Sequence, residues 1–242
     1  MTGKQETTIY IVRHAEVHNP QQILYGRLPR FGLSDLGWKQ AERTARLLAK
    51  EPVTAIYSSP QLRARQTARV IAEYHPELKI QTTRVLAEVV TSWQGRPYTD
   101  LHKIDFDFYS HPLNPDDETV QQVWERVRTF VERVRRRHAG QAVVAVTHGD
   151  LTFAARAGYA GMPIDVASIR GRNIYPGHAS LTKLTFCPQD DTYPSRLEYF
   201  DPNGSDGRWS RGWVKVPSEG LLKEPAVPEP GGPPWILTSS GQ

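Results

Sequence analysis

Three short apolar runs, Ile9-Tyr10-Ile11-Val12, Ala55-Ile56-Tyr57 and Val143-Val144-Ala145-Val146, punctuate the first 150 positions of the chain, and between them apolar residues recur every three or four positions. Uninterrupted runs of this length mark strands buried on both faces, as in parallel sheets, whereas a period near 3.6 marks amphipathic helices. The pattern predicts strands near 9–13, 54–58 and 143–147 and helices near 35–49, 61–74, 117–138 and 150–160. Later strands near Ala179–Phe186 and Arg196–Phe200 complete the sheet, and residues 96–116 read as a short helical cap and loop. Strands alternating with helices imply an α/β fold, a three-layer sandwich with a mainly parallel central sheet and helices on both faces.

The helix near 117–138 shows the pattern most clearly. Val120, Val123, Trp124, Val127, Phe130, Val131 and Val134 form one apolar stripe, leaving Arg126, Arg128, Arg133, Arg135, Arg136 and Arg137 around its edges. Arginines toward a helix C-terminus complement its dipole, so this run reads as a solvated face and not as a nucleic-acid surface. No basic and aromatic interleaving of the single-strand-binding kind accompanies it. The net charge of +4 instead suits the attraction of anionic ligands.

At 242 residues and 38% hydrophobic content, the chain suffices for one α/β core, expected over residues 1–200. Residues 201–242 change to a Trp- and Pro-rich composition, with Trp209, Trp213 and Trp235 as apolar anchors, and read as an extension of that domain and not a second one. The polar N-terminus lacks a signal core, no stretch has the roughly 20 apolar residues of a membrane helix, and the single cysteine, Cys187, permits no internal disulfide. These features predict a cytoplasmic protein with neither membrane nor nucleic acid as partner, and leave a homodimer open.

The chemistry gathers where the strands end. Ligands of open α/β sheets sit beyond the carboxyl ends of parallel strands. The first strand ends in Arg13-His14-Ala15-Glu16, the second leads into a Ser-Ser-Pro turn, Ser58-Ser59-Pro60, that caps a helix with Arg63 in its first turn, and the third ends in His148-Gly149-Asp150. Two arginines and two histidines at such junctions suit a phosphomonoester, whose transferring group spreads negative charge over three oxygens. Arg13 and Arg63 offer paired N–H donors, and His148, when protonated, adds a third. His14 has the opposite requirement, because only a neutral ring nitrogen can attack phosphorus, with its other nitrogen fixed by a backbone carbonyl.

Arg13-His14-Ala15-Glu16, Ser59 through Arg63-Ala64, His148-Gly149 and Leu33-Ser34-Asp35-Leu36-Gly37, in this order, resemble the histidine phosphatase superfamily, which includes cofactor-dependent phosphoglycerate mutases and many small-molecule phosphatases. The likeness spans roughly residues 8 to 187. Leu86-Ala87-Glu88, followed by Trp93-Gln94-Gly95, resembles the family's acid-bearing segment and implies Glu88 as the proton donor, with Glu16 and Asp150 as competing carboxylates. Ala15 stands where glycine is commoner, and Asn19 falls one residue earlier than the phosphate-contacting asparagine of mutases. The stretch His18-Asn19-Pro20 through Leu24-Tyr25-Gly26-Arg27 is similar to a phosphatase branch, which implies that Asn19, Tyr25, Gly26, Arg27 and Gly149 line the substrate mouth.

The resemblance implies a metal-independent phosphomonoester hydrolase working through a phosphohistidine on His14, with a small phosphorylated metabolite as substrate. A mutase, or a phospho-ligand-binding module without catalysis, is the alternative; the short segment from Glu88 to Val120 argues against the first, and retention of Arg13, His14, Arg63, Glu88 and His148 argues against the second. Nothing in the sequence calls for a cofactor or a metal. His14 and His18 stand four apart but follow a strand, and no phosphate-cradling or dinucleotide glycine motif is present. His178 reads as a loop residue near the site, and Asn203-Gly204-Ser205 as a chance glycosylation triplet.

Overall fold

The computed structural model of the chain describes residues 6–167, 175–188 and 193–203. The expected extension lies outside the described residues from position 204 onward, together with Trp209, Trp213 and Trp235.

Six strands form one sheet: β1 (Thr7–Arg13), β2 (Val53–Ser58), β3 (Ile80–Thr82), β4 (Ala142–Thr147), β5 (Leu181–Phe186) and β6 (Arg196–Phe200), in the spatial order β3-β2-β4-β1-β5-β6. The β3, β2, β4 and β1 strands pair in parallel, and β5 and β6 are antiparallel additions beside β1. The sheet is therefore mixed, with its parallel part holding the three strand ends singled out above. β4 is buried at all six positions, which is what its unbroken Ala-Val-Val-Ala-Val-Thr sequence demands of a central strand.

Among the described residues the α-helices are α1 (Asp35–Leu48), α2 (Leu62–Ala72), α3 (Tyr98–Lys103), α4 (Val120–Arg137) and α5 (Gly149–Tyr159), of which α4 and α5 cover one face of the sheet and α1 and α2 the other. Successive strand side chains point to opposite faces and so divide between two cores. Ile9, Ile11, Val143 and Ala145 pack with Val123, Phe130, Leu151 and Ala155 of α4 and α5. Tyr10, Val12, Val144 and Val146 pack with Ala41, Ala45, Ala64 and Ala68 of α1 and α2. The seven apolar residues of the α4 stripe are all buried. Thr119 and Gln122 close a capping box at the start of α4, so the helix begins at Val120, three residues later than the apolar period suggested.

Two contacts place the loop after β1. The Ser34 hydroxyl caps α1 by accepting from the Gly37 N–H at 2.9 Å, and donates to Glu16 Oε1 at 2.8 Å. A Cβ on Gly37 would lie 2.1 Å from the Glu16 carbonyl oxygen, so glycine is what allows α1 to start against the loop. Among the described residues no helix is long and apolar enough to cross a membrane.

Candidate active site

The loop after β1 leaves the sheet with its backbone tied down on both sides. Arg13 N–H donates to Ser180 O at 3.0 Å, and His14 N–H to Thr147 O at 2.8 Å. Ala15 N–H then donates to Thr67 Oγ1 of α2 at 3.1 Å. Ala15 is fully buried and is not among the residues with positive φ, so its methyl meets no backbone demand for glycine.

His14 Nδ1 lies 2.7 Å from Ala15 O. A carbonyl can only accept, so Nδ1 carries the proton and Nε2 keeps its lone pair. Burial, followed by the charges of Arg63, His148 and Arg13, holds the His14 pKa well below the ordinary imidazole value, so the ring is neutral near pH 7.

Arg63, in the first turn of α2, is fully buried. Its Nη2 donates to Gly26 O at 2.8 Å and lies 3.0 Å from His148 Nδ1 and 3.3 Å from Glu88 Oε2. Its guanidinium carbon sits 4.6 Å from the centre of the Tyr25 ring, a cation–π contact that holds the charged plane from one side. Three guanidinium nitrogens, Arg63 Nε, Arg63 Nη1 and Arg13 Nε, are buried with no hydrogen-bond partner among the described residues. Unpaired cationic donors are costly inside a protein, and together they describe a place for an anion.

The His148 ring is 5.2 Å from that of His14, centre to centre. Its Nδ1 accepts from Arg63, and its Nε2 lies 2.7 Å from Ser59 Oγ, whose hydroxyl donates to Gln61 Oε1. This chain of donors puts the His148 proton on Nε2. Burial, only partly offset by Glu88, lowers its pKa, so the ring is neutral near pH 7 and adds a third cationic donor only when it takes up a proton. The Ser-Ser-Pro turn also works differently from the helix cap that its sequence suggested. Gln61 is the N-cap of α2 and makes no side-chain cap bond, while Ser59 and Gln61 hold His148.

Glu88 follows a 3-10 turn at Arg84–Leu86. One carboxylate oxygen accepts from the Val89 N–H at 3.0 Å, and the other faces Arg63 and His148, each at 3.3 Å. Burial alone would raise its pKa, but His148, where it is protonated at acid pH, and the permanent charge of Arg63 outweigh burial and hold the carboxyl below its ordinary range.

A family model of the histidine phosphatase superfamily, branch 1, matches residues 9–194. The chain belongs to this superfamily. An uncharacterised protein of Mycobacterium tuberculosis is 38% identical to it over 150 residues, covering 60% of this chain and 74% of its own. Phosphoserine phosphatase 1 of Hydrogenobacter thermophilus is 35% identical over 148 residues, covering 58% of this chain and 70% of its own. The structure of a mycobacterial glucosyl-3-phosphoglycerate phosphatase superimposes with a TM-score of 0.63 at 25% identity, over 75% of this chain and 91% of that one.

The other residues that the sequence resemblance implies for the substrate mouth of this superfamily member divide between those that touch Arg63 and those that frame them. Tyr25 faces Arg63, and Gly26, at φ +41°, turns its carbonyl to the same guanidinium. Arg27 is engaged by the Glu88 segment, with Nε donating to Glu88 O at 2.6 Å and Nη2 lying 3.5 Å from Glu118. Asn19 closes its own loop: Nδ2 donates to Ile23 O and Tyr98 Oη, and Oδ1 accepts from Ile23 N–H. Gly149 starts α5 against Tyr175, whose hydroxyl oxygen would lie 2.2 Å from a Cβ at that position.

Sequence reasoning passed over the group around Asp150. Tyr109 and Tyr175 donate to its two carboxylate oxygens at 2.9 and 2.8 Å. Burial, followed by the Glu88 charge, raises the Asp150 pKa above the ordinary aspartate value. Glu16, the other competing carboxylate, accepts from Ser34 beside α1.

His14, Glu88 and His148 also bring three potential metal-ligand atoms within 4.8 Å of one another. The Arg63 guanidinium already contacts the same Glu88 and His148 atoms, so a divalent cation there would sit against a buried positive charge. The donor set fits an anion better than a metal.

Proposed function

We propose that the chain is a phosphomonoester hydrolase that passes the phosphoryl group through His14. The observation that carries this reading is the set of three buried, unpartnered guanidinium nitrogens beside a neutral imidazole whose lone pair is on Nε2. Residues 1–200 form its catalytic domain in this reading.

In the first step the His14 Nε2 lone pair attacks phosphorus, and the ester P–O bond breaks with its electron pair on the leaving oxygen. Arg13 and Arg63 meet the charge that spreads over the transferring oxygens. A carboxylate held below its ordinary pKa is no acid by itself, but an arriving phosphate puts further negative charge beside Glu88 and raises its proton affinity. Glu88 then takes up a proton with the substrate and delivers it to the leaving oxygen. The same negative charge favours protonation of His148 at Nδ1, which gives up its contact from Arg63 and makes the ring a cationic donor once phosphate is bound. In the second step water attacks phosphorus, Glu88 receives its proton, and the P–N bond breaks to restore the Nε2 lone pair and release inorganic phosphate.

The positive charge comes from arginine, so the reaction proceeds without a metal. The substrate is a small phosphorylated metabolite, and the names of the similar proteins put phosphoserine and glucosyl-3-phosphoglycerate first among those to try. The test is phosphate release from a panel of phosphomonoesters, with and without chelator. The panel includes 3-phosphoglycerate with its bisphosphate primer. Chelator-resistant release is expected; isomerisation without release would instead identify a mutase, and neither activity would leave a phospho-ligand-binding module.

A further inference from the structure

We infer that His178 is a positioning residue, the neutral acceptor that orients the Arg13 guanidinium for the phosphoryl group. The inference rests on the phosphoryl-transfer reading above and concerns how one of its two arginines is aimed.

Arg13 is gripped by a single segment, residues 175–178. Its Nη1 donates to Pro176 O at 2.5 Å, its Nη2 lies 3.1 Å from His178 Nε2, and its guanidinium carbon is 5.0 Å from the centre of the Tyr175 ring. These contacts engage one N–H of each terminal nitrogen and leave Nε, buried and unpartnered, among the donors available to a ligand. A guanidinium is planar and binds phosphate by the edge it presents, so whatever fixes its rotation selects that edge.

Arginine nitrogens only donate, so His178 must accept at Nε2 and carry its own proton on Nδ1. A doubly protonated ring would put N–H against N–H and release the arginine. Burial, with the Arg13 charge added, lowers the His178 pKa to about 3, which keeps the acceptor form across ordinary working pH. The other groups near the ring belong to the same site, chief among them His14, whose ring centre is 5.9 Å away.

The backbone beside His178 is strained to bring the ring in. Ala179, a non-glycine residue, has φ +55°. Its N–H donates to His14 O at 3.2 Å and its carbonyl accepts from Thr44 Oγ1 at 2.6 Å, while Asn203 Nδ2 donates to the His178 carbonyl at 3.4 Å. Left-handed backbone at a side-chain-bearing residue persists only where the surroundings enforce it, and such residues gather at functional sites. Here the turn sets the imidazole against Arg13 and the adjoining peptide against His14.

The test compares His178→Leu, which keeps much of the ring's volume without an acceptor, with His178→Gln, which restores an acceptor at a similar reach. Binding of inorganic phosphate is measured by calorimetry, kcat and KM on an aryl phosphate are measured alongside, and thermal unfolding monitors the fold. We expect His178→Leu to weaken phosphate binding about tenfold or more and to lower kcat/KM by a similar factor, with His178→Gln recovering most of both. Wild-type phosphate affinity in the leucine variant overturns the assignment, as does equal impairment of the two variants, since either result means the acceptor atom does not matter. A wild-type chain that neither binds nor releases phosphate overturns the underlying reading instead, and the assignment with it.

Discussion

Arg63 Nη2 lies 3.0 Å from His148 Nδ1, a donor set against a ring nitrogen that must therefore be unprotonated. The same nitrogen serves Gly26 O and faces Glu88, while Nε and Nη1 stay unpaired. One side chain thus holds three site elements together and keeps two donor nitrogens in reserve. A lysine ammonium has the charge but not the fork. Arg63→Lys should lower kcat/KM for phosphomonoesters by about 10²–10³-fold, the range seen when one preorganised donor is lost. Steady-state kinetics with an aryl phosphate checks this; a loss of twofold or less would place the phosphate elsewhere.

His14→Ala removes the neutral imidazole whose Nδ1–H is fixed by Ala15 O and whose Nε2 lone pair is left free at the head of the first strand. Turnover should fall below about a ten-thousandth of wild type, as for other nucleophile deletions. Rapid quench with a radiolabelled phosphate ester should trap an acid-labile phosphoenzyme in wild type and none in the variant. An active variant would exclude the covalent route.

Glu88→Gln keeps the side chain's shape and the Val89 contact but cannot carry a proton. Alkyl phosphates, whose leaving oxygens need protonation, should slow by about 10²–10⁴-fold, and p-nitrophenyl phosphate, with its acidic leaving group, much less. Equal losses on the two substrate types would move the proton donor to another residue.

Asp150 makes a stability prediction whose sign follows from linkage. Its folded-state pKa is raised above the unfolded value of 3.8, so over that interval the folded chain holds a proton that the unfolded chain has released. Stability from this group is present below the unfolded pKa and is lost as pH rises through the folded one. Asp150→Asn mimics the neutral form and should gain thermal stability relative to wild type as pH rises from 4 to 8. Paired unfolding curves at those pH values give the answer, and a difference that shrinks with rising pH would contradict the raised pKa.

Gly37→Ala should cost about 1–3 kcal/mol, the usual penalty for forcing atoms into packed space. The clash is with the backbone carbonyl of Glu16, two residues from His14, which cannot swing aside as a flexible side chain does. Thermal denaturation measures the loss, and activity should fall with it because the carbonyl belongs to the loop that carries His14. Undiminished stability would mean that α1 can move back without disturbing that loop.

Much of this was legible in the chain because long-range burial writes itself locally. The β4 run and the α4 stripe have no polar interruption to misread, and the residues that follow β1, β2 and β4 fall at one edge of the sheet. The structure brings His14, Arg63, Glu88 and His148 together and ties Arg13 to the neighbouring segment. Other features left no signal. β3 has only three residues, too few to show a period, and Ser59 in a Ser-Ser-Pro turn looks like a helix cap until His148 arrives from 89 positions away. Asp150 and its two tyrosines come from segments with no pattern in common, so only the fold could join them.

The reversal of direction at β5 has a consequence for how this site can vary. Because β5 runs against β1, its first residue, and not its last, lies level with the head of the sheet. The segment leading into it therefore enters the site from a strand's beginning, carrying Tyr175, Pro176 and His178 to Arg13. The parallel strands and the helices behind them supply His14 and the buried Arg63, set in packed surroundings that tolerate little change. The incoming segment hangs from an edge whose inner register is fixed by other residues, so substitutions within it can retune the grip on Arg13 while β1, β2 and β4 keep their core.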